Sequence, residues 1–264
     1  MTQNIHPTAY IAADAILGEH ITVGPFAVIE SGVELGDACQ IGAHAVIQPF
    51  VKMGSGNILH PHAVLGDLPQ DTSFKAETVS WLIIGDNNVF REGFTAHRSS
   101  KEHGETRIDS GCYFMNNSHV AHDCHVGSNT IFANSVAIGG HVEVGNNVFI
   151  GGSAVVHQFC RVGAYAIVRG TTALTMDVIP FTLIGGIPAR HYRLNTIGLR
   201  RTGITGERYK VLESAFRLLR NKKPLDNLED TPELLELKNW LAVKSKRGTH
   251  GFTEHSRTHR ESDE

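Results

Sequence analysis

The sequence predicts an all-β protein, a parallel β-helix built from six-residue repeats, followed by a small α-helical domain at the C-terminus. Two observations carry this prediction. A hydrophobic residue recurs at every sixth position through most of residues 1–190, whereas the residues after 190 show helical spacing instead. With 264 residues, 41% of them hydrophobic, and a net charge of −3, the composition is that of a soluble globular protein.

The recurring hydrophobic residue, called the leader here, forms two uninterrupted series. The first is Ile5, Ile11, Leu17, Val23, Ile29, Leu35, Ile41, Ile47, Met53, Leu59 and Leu65; the second is Ile108, Phe114, Val120, Val126, Phe132, Ile138, Val144, Ile150, Val156, Val162, Val168 and Leu174. Between them the register breaks across 67–83, resumes at Ile84 and Phe90, and weakens through 97–107. Six residues suffice for a short strand and a corner, and three units would close one triangular coil. Glycine often follows the leader directly, as tight corners would require.

The cysteines support the same register. Cys39, Cys112, Cys124 and Cys160 each lie four positions after a leader, in a column otherwise rich in alanine. Side chains alternate along a strand, so this column shares the inward face with the leaders, and each cysteine is expected to be a small buried hydrophobe. We therefore exclude Cys124 as a catalytic residue. The absence of an export signal and of a long apolar run predicts a cytoplasmic protein without disulfides or membrane insertion.

Histidines cluster in the second series. The units led by Val120, Ile138 and Val156 follow one another at intervals of three repeats, so they are expected on one sheet in three successive coils. This register gathers four imidazoles on one outer strip, namely His119, His122, His141 and His157. His125 belongs to the next side of the coil. Six other histidines show no such convergence and are interpreted as ordinary surface residues: His6, His20, His44, His60, His62 and His103.

Two kinds of chemistry fit this strip. Three imidazoles around an open position could hold a catalytic zinc ion, as in carbonic anhydrases of the same β-helix class. Alternatively, His122 beside Asp123 supplies a general base and a carboxylate that fixes its tautomer. Gly140, three repeats after His122, would place a backbone N–H one coil above the base, where it could stabilise an oxyanion. A base without a nucleophile of its own favours transfer to a substrate hydroxyl over hydrolysis.

Three segments resemble a known family: HVAHDC (119–124), GGHVEVGNN (139–147) and GGSAVVHQFCRVGAY (151–165). They are similar to the UDP-N-acetylglucosamine O-acyltransferases of lipid A biosynthesis, a branch of the hexapeptide-repeat acyltransferases. The resemblance includes LPQD (68–71) and LRRTG (199–203) and runs from about residue 5 into the helical region. It implies a left-handed β-helix, although general crossover rules would favour a right-handed one. It also implies a homotrimer, a 3-hydroxyacyl-acyl carrier protein donor, and no cofactor or metal.

The resemblance implies a role for each matching residue. His122 would take the proton from the sugar 3-hydroxyl, Asp123 would orient it, and the Gly140 amide would hold the oxyanion. The residues expected to line the donor and sugar-nucleotide site are His119, His141, His157 and Gln158, with Gln70 and Asp71 contacting the sugar nucleotide. Asn195 and Arg201 would meet the nucleotide from a neighbouring subunit. Gly170 would limit the depth of the acyl chain, which predicts a preference for long chains.

Two positions depart from the family pattern. Ser73 stands where a lysine is frequent, with Lys75 nearby, and Ile197 stands where a glutamate is usual. Both changes concern acceptor recognition. A sugar nucleotide with a 3-amino group therefore remains an alternative acceptor.

The C-terminal region is predicted to be a helical domain over 191–264, after a β-helix over 1–190 with an insertion at 67–83. Helical spacing covers 206–221 and 231–246, and the tail from about 248 is expected to be disordered. Residues 190–223 contain ten Lys or Arg against two acidic residues, whereas residues 1–189 contain eight against 16. This basic segment predicts an anionic partner. The resemblance implies acyl carrier protein, and the scarcity of interleaved aromatic residues argues against nucleic acid.

Overall fold

The computed structural model describes residues 4–253, and in them three parallel sheets wind into a triangular β-helix that ends in three α-helices. Each coil contributes one strand to each sheet, and equivalent strands of successive coils pair in parallel. His119, for example, pairs with Ala137 and Val120 with Ile138, one coil further on. The predicted six-residue register is confirmed. No helix in the described part of the chain is long and apolar enough to cross a membrane.

The strands, numbered along the chain, fall into three sheets. Sheet A contains β1 (Asn4–Ile5), β4 (Thr22–Val23), β7 (Gln40–Ile41), β10 (Ile58–Leu59), β13 (Val89–Phe90), β16 (Tyr113–Phe114), β19 (Ile131–Phe132), β22 (Phe149–Ile150), β25 (Ile167–Val168), β27 (Thr182–Gly185) and β28 (Arg190–Leu194). Sheet B contains β2 (Tyr10–Ile11), β5 (Val28–Ile29), β8 (Val46–Ile47), β11 (Val64–Asp67), β14 (Thr95–His97), β17 (His119–Val120), β20 (Ala137–Ile138), β23 (Val155–Val156) and β26 (Ala173–Leu174). Sheet C contains β3 (Ile16–Leu17), β6 (Glu34–Leu35), β9 (Val51–Met53), β12 (Trp81–Ile84), β15 (Glu105–Ile108), β18 (His125–Val126), β21 (Glu143–Val144) and β24 (Arg161–Val162).

The interior of the coil is filled as the register predicts. From Val23 onward the leaders are buried, and Phe90, Phe94 and Phe114 stack in the core with ring centroids 4.7–5.3 Å apart. All four cysteines are free and buried. Burial raises the pKa of the Cys124 thiol to about 12 and that of the Cys112 thiol to about 11. These thiols remain protonated at neutral pH, which confirms their role as small core side chains.

The glycines after the leaders have a different purpose from the one expected. The left-handed conformation at the corners falls on the fourth residue of each unit, usually a non-glycine such as His44 or Asp123. The glycine in the second place instead allows the coils to stack. A Cβ at Gly151 would lie 2.4 Å from the backbone nitrogen of Gly170, one coil above. Close approach of backbones, rather than corner geometry, therefore requires these glycines.

Two insertions interrupt the coils. The first leaves sheet B after β11 and returns to sheet C at β12, where the sequence repeat breaks. The second, between β14 and β15, is visible in the sequence only as a weakening of the repeat. Ala96 is the leader there, and it pairs with Val120, so this coil is one repeat longer than a regular coil. This register places Ser99 directly beneath Asp123.

The C-terminal region begins with a hairpin. β27 continues sheet A in parallel, and β28 pairs with it antiparallel, so the predicted boundary after residue 190 falls within β28. Three helices follow: α1 (Thr196–Arg201), α2 (Gly206–Arg220) and α3 (Pro232–Ala242). Thr231 caps α3 by accepting a hydrogen bond from the Leu234 amide, as Thr-Pro predicts.

The predicted disorder from residue 248 is wrong for 248–253. Thr249 forms a β-bridge with Asp177, and Phe252 forms one with His191. The Phe252 ring also packs against Phe216 of α2 at 5.1 Å. These contacts attach the segment to the top of the β-helix. The remainder of the predicted tail, 254–264, lies outside the described residues.

Candidate active site

The predicted base lies at the corner between sheets B and C. His122 and Asp123 follow β17, and Asp123 occupies the left-handed corner conformation with φ 59°. The Asp123 amide donates to Thr106 Oγ1 at 2.7 Å, which fixes the backbone of the corner. Both side chains are largely shielded, with 12% of His122 and 6% of Asp123 exposed. Such burial strengthens the electrostatic coupling between them.

The two side chains form an oriented dyad. His122 Nδ1 lies 2.7 Å from Asp123 Oδ2. Burial acts to raise the pKa of Asp123, but hydrogen bonds from His122, Ser100 and Ser99 outweigh it and hold this pKa well below its usual range. Because the carboxylate is ionised and can only accept, Nδ1 of His122 carries the proton. The lone pair of a neutral His122 is then on Nε2, where it can accept a proton.

Gly140 approaches the imidazole from the coil above. A Cβ at this position would lie 2.6 Å from Cε1 and 2.9 Å from Nε2 of His122, so only glycine fits against the ring. Within residues 4–253 the Gly140 N–H has no hydrogen-bond acceptor, although its carbonyl accepts from the Phe159 amide at 3.0 Å. A buried, unpaired donor beside the free imidazole nitrogen is the arrangement an oxyanion would use.

His141 completes the group. Its ring is edge-on to that of His122, with centroids 5.4 Å apart, and its Nε2 lies 3.6 Å from Asp123 Oδ2. Phe159, one coil higher, stacks on it at 4.5 Å with an interplanar angle of 6°. Burial lowers the pKa of His141, and this effect outweighs the opposing influence of the Asp123 carboxylate. Sequence reasoning missed Phe159, although its position three repeats after His141 places it in the same column.

His119 lies on sheet B beside a histidine that sequence reasoning missed. Its Nδ1 is 2.7 Å from Thr95 Oγ1, and its ring centroid is 4.8 Å from that of His97. Burial, followed by the neighbouring His97, lowers the pKa of His119 to about 4, so its imidazole is neutral at pH 7. His97 is itself 6% exposed. Reading the weak repeat at 97–107 as an insertion would have placed His97 next to His119.

His157 and Gln158 are exposed on the coil above Gly140. The backbone of Gln158 stacks over Gly139, where an added Cβ would lie 2.9 Å from the Gln158 nitrogen. His157 Nδ1 lies 3.2 Å from the Gln158 carbonyl oxygen. Within residues 4–253, no hydrogen bond or ring contact joins either side chain to the dyad, and both extend the strip upward as an exposed surface.

The first insertion brings Asp71 towards the dyad. Asp71 accepts hydrogen bonds from the amide and hydroxyl of Ser73 at 2.9 and 2.7 Å, and these lower its pKa, with a smaller contribution from His122. Ser73, which departs from the family pattern, thus caps this carboxylate. Gln70 beside it is exposed. Arg98, buried under the insertion, anchors it by donating to the carbonyl oxygens of Thr78 and Ala76.

The remaining predicted residues lie at the other corners of the coil. Gly170 is exposed at the corner between sheets A and B, above Gly152, so the width of sheet B separates it from His122. Asn195 caps α1 and donates to the Tyr165 carbonyl oxygen at 2.8 Å, at the corner between sheets C and A. Arg201 is exposed at the end of α1. One chain therefore does not bring these three residues to the dyad.

Family models and curated relatives agree with the family that the sequence resembles. A family model described as UDP-N-acetylglucosamine O-acyltransferase, domain 2, matches residues 177–250, and one described as bacterial transferase hexapeptide matches 32–67 and 105–140. The acyl-[acyl-carrier-protein]–UDP-N-acetylglucosamine O-acyltransferase of Alkalilimnicola ehrlichii is 42% identical over 92% of this chain and 97% of its own. The chain belongs to this family. The enzyme of the same name from Vibrio atlanticus is 48% identical over 85% of this chain and 86% of its own.

Solved structures place the family's fold on this chain. The structure of LpxA from Acinetobacter baumannii has a TM-score of 0.87 at 32% identity, covering 93% of this chain and 99% of that one. The predicted fold class, a left-handed parallel β-helix of hexapeptide repeats, is confirmed. The zinc lyase alternative is not favoured, although the ligand atoms of His122, Asp123 and His141 all lie within 4.8 Å of one another. The same proximity suits a group of side chains that shares and moves a proton.

Proposed function

We propose that this chain transfers a long 3-hydroxyacyl group from acyl carrier protein to the 3-position of UDP-N-acetylglucosamine, the first step of lipid A biosynthesis. Family membership supports the reaction class. The observation that carries the mechanism is the free Nε2 of His122 beside the unpaired N–H of Gly140. We therefore assign the base and the oxyanion donor to the same small volume, because the Gly140 backbone packs against the His122 ring.

The proposed reaction is a direct displacement. His122 Nε2 takes the proton of the sugar 3-hydroxyl while the oxygen of that hydroxyl attacks the thioester carbonyl carbon. The carbonyl oxygen becomes an oxyanion that accepts from the Gly140 N–H, and Asp123 stabilises the imidazolium that forms. When the intermediate collapses, the C–S bond breaks and the proton on His122 passes to the leaving thiolate. The products are the ester and the free thiol of the carrier protein.

A covalent acyl-enzyme is not part of this proposal. The cysteine nearest the dyad, Cys124, points into the core, and burial raises the pKa of its thiol to about 12. We therefore take the sugar hydroxyl as the nucleophile. A 3-amino sugar nucleotide would use the same base. Ser73, which departs from the family pattern, donates to Asp71, a residue assigned to the sugar nucleotide.

We also propose that the working enzyme is a homotrimer with sites between subunits. The residues assigned to the acyl chain and the nucleotide, Gly170 and Asn195, lie at two corners of the coil and His122 at the third. A second copy packed alongside could bring its corner against the first copy's dyad, which cyclic symmetry then repeats. Sedimentation of an enzyme that is fully active as a monomer would refute this assembly.

Acyl carrier protein is proposed to dock on the basic surface of α1 and α2. The last turn of α1 contains Arg200 and Arg201, and that of α2 contains Arg217 and Arg220. An acidic carrier protein complements this charge. Neither nucleic acid nor metal has a place in the proposed reaction, and the cytoplasmic location stays a prediction.

One assay tests the proposed function. Purified protein is incubated with 3-hydroxyacyl carrier proteins of graded chain length and either UDP-N-acetylglucosamine or its 3-amino analogue, and products are identified by mass spectrometry. We expect an ester at the 3-position with the longer donors. An amide as the preferred product would assign the amino acceptor instead. Stoichiometric zinc in the active protein, lost together with activity on chelation, would overturn the metal-free mechanism.

A further inference from the structure

The second insertion, residues 98–104, supplies hydrogen bonds to the catalytic carboxylate from below. Ser99 Oγ donates to Asp123 Oδ1 at 2.5 Å. Ser100 donates to Oδ2 twice, from its hydroxyl at 2.6 Å and its amide at 3.3 Å. With the bond from His122 Nδ1, both carboxylate oxygens of Asp123 are therefore hydrogen-bonded.

The conformation of the insertion directs the Ser99 hydroxyl towards Asp123. Ser99 is fully buried, and its Oγ accepts from the Lys101 amide at 3.1 Å, which leaves its hydrogen for the carboxylate. The loop closes tightly over this hydroxyl, since a Cβ at Gly104 would lie 2.3 Å from Ser99 Oγ. The hydroxyl therefore has little freedom to turn elsewhere.

The carboxylate needs such support because two imidazoles compete for it. Asp123 Oδ2 is 2.7 Å from His122 Nδ1 and 3.6 Å from His141 Nε2. A carboxylate free to rotate could exchange one partner for the other. Turning towards His141 would release the proton on His122 Nδ1 and allow the other tautomer, in which Nε2 carries the proton and cannot act as a base.

We propose that Ser99 and Ser100 are positioning residues that hold Asp123 on His122 and so keep the base in its active tautomer. This inference rests on the proposed function, because it requires His122 to be the base. Neither serine is expected to touch a substrate. Their loss should therefore reduce kcat while leaving KM almost unchanged, which distinguishes them from binding residues.

The test compares Ser100→Ala and Ser99→Ala/Ser100→Ala with wild type. We expect kcat to fall about 10–100-fold in the double variant, comparable to the loss when a hydrogen-bond partner that orients a metal-binding histidine or carboxylate is removed. KM for both substrates should stay within about twofold. The acid limb of the kcat/KM profile should move to higher pH, because a carboxylate that has lost the serine donors stabilises the protonated imidazole beside it more strongly. Ser100→Thr keeps a hydroxyl and should restore activity, while Ser110→Ala, which removes an exposed corner hydroxyl bonded to the Asp86 amide, is the matched control.

A double-mutant cycle separates positioning from general loss of structure. If the serines act through Asp123, adding Ser99→Ala/Ser100→Ala to Asp123→Ala should cause less than about a twofold further loss. Independent losses that multiply, or unchanged kcat and pH profile in the serine variants, would overturn the inference. If His122→Ala is inactive but the serine variants are normal, only the role of the serines is refuted. If His122→Ala is active, the proposed mechanism is refuted as well.

Discussion

Two columns of aromatic rings at the corners of this β-helix share one backbone design but differ in chemistry. His44 and His141 each occupy the fourth place of their unit, with φ 57° and 59°. His44 stacks between Phe26 and His62, with centroids 5.1 Å from each, on an exposed corner of the early coils. His141 stacks in the same way on Phe159, at 4.5 Å. The repeat thus stacks an imidazole in this place on an aromatic ring that occupies the same place one coil away.

The later coils differ by adding a carboxylate and an insertion that shields it. His141 lies 3.6 Å from Asp123, and 21% of its side chain is exposed. Among residues 4–253, neither His44 nor His62 has a carboxylate within ion-pair distance. His125 Nε2 also lies 3.0 Å from a carboxylate, that of Asp109, but 27% of the Asp109 side chain is exposed against 6% of Asp123. The catalytic role proposed for His122 therefore depends on a carboxylate that is both close and buried, rather than on its place in the repeat. The following predictions test that distinction, beginning with the largest effect.

His122→Ala should reduce kcat by about 10²–10⁴-fold, the usual contribution of a general base. The side chain lies at a corner outside the leader column, so thermal unfolding should stay close to wild type. His44→Ala, which removes an exposed corner histidine of the early coils, is the control and should retain wild-type turnover. Equal losses in the two variants, or near-normal turnover in a folded His122→Ala, would contradict the assignment.

Gly140→Ala should lower kcat by about 10²–10³-fold, comparable to the loss of an oxyanion donor. The added methyl lies 2.6 Å from the His122 ring, so the imidazole must move away from the position that Asp123 and Gly140 define. Gly251→Ala is a suitable control, because its methyl meets nothing nearer than 3.8 Å. A crystal structure of Gly140→Ala with His122 unmoved, together with full activity, would exclude Gly140 from the site.

Much of the fold and of the candidate site could be predicted from the sequence, because a six-residue period is a strong signal that is repeated many times. The leaders, the cysteine column, the dyad and Gly140 all follow from counting in sixes. His97 and the serine pair did not, because they lie where the count fails. An insertion has no period, and its contacts to Asp123 span 23 and 24 residues, a separation that no local pattern encodes.

The positions of His122, Gly170 and Asn195 at three different corners of the coil could be predicted only in part from the sequence, and the reason is a different one. Counting in sixes assigns Gly170 to the unit led by Val168. It does not show how far Gly170 lies from His122, because that distance depends on the triangular cross-section of the coil. The same holds for Asn195, whose side chain is buried and bonded to Tyr165 within one chain. Residues that are proposed to act between subunits carry no local signal of their partner.

Gly170→Met should shift donor preference to chains several methylenes shorter. The glycine is exposed at the corner between sheets A and B, and a side chain there would extend from a position 3.1 Å from the Gly152 carbonyl oxygen. Each methylene left unburied costs about 0.8 kcal/mol, so two or three would change selectivity by more than about tenfold. Competition between donors of different length measures this ratio. An unchanged chain-length profile would show that the acyl tail does not pass this corner. The corner at Gly170 would then have no part in the reaction proposed for the corner at His122.

The smallest effect concerns stability and again contrasts a shielded imidazole with an exposed one. Burial lowers the pKa of His119 to about 4, below the value of about 6.5 in an unfolded chain. Between these values the unfolded chain binds the extra proton, so the stability that neutral His119 contributes is complete above about pH 6.5 and is lost as pH falls towards 4. From pH 7 to pH 5 this loss should reach about 2 kcal/mol. Urea unfolding of His119→Gln should show a correspondingly weaker fall over that range, whereas His44→Gln should follow wild type. If the His119→Gln and wild-type curves remain parallel from pH 7 to pH 5, then His119 is hydrated and protonates as freely in the folded protein as in the unfolded chain, and the strip is open to water at this coil.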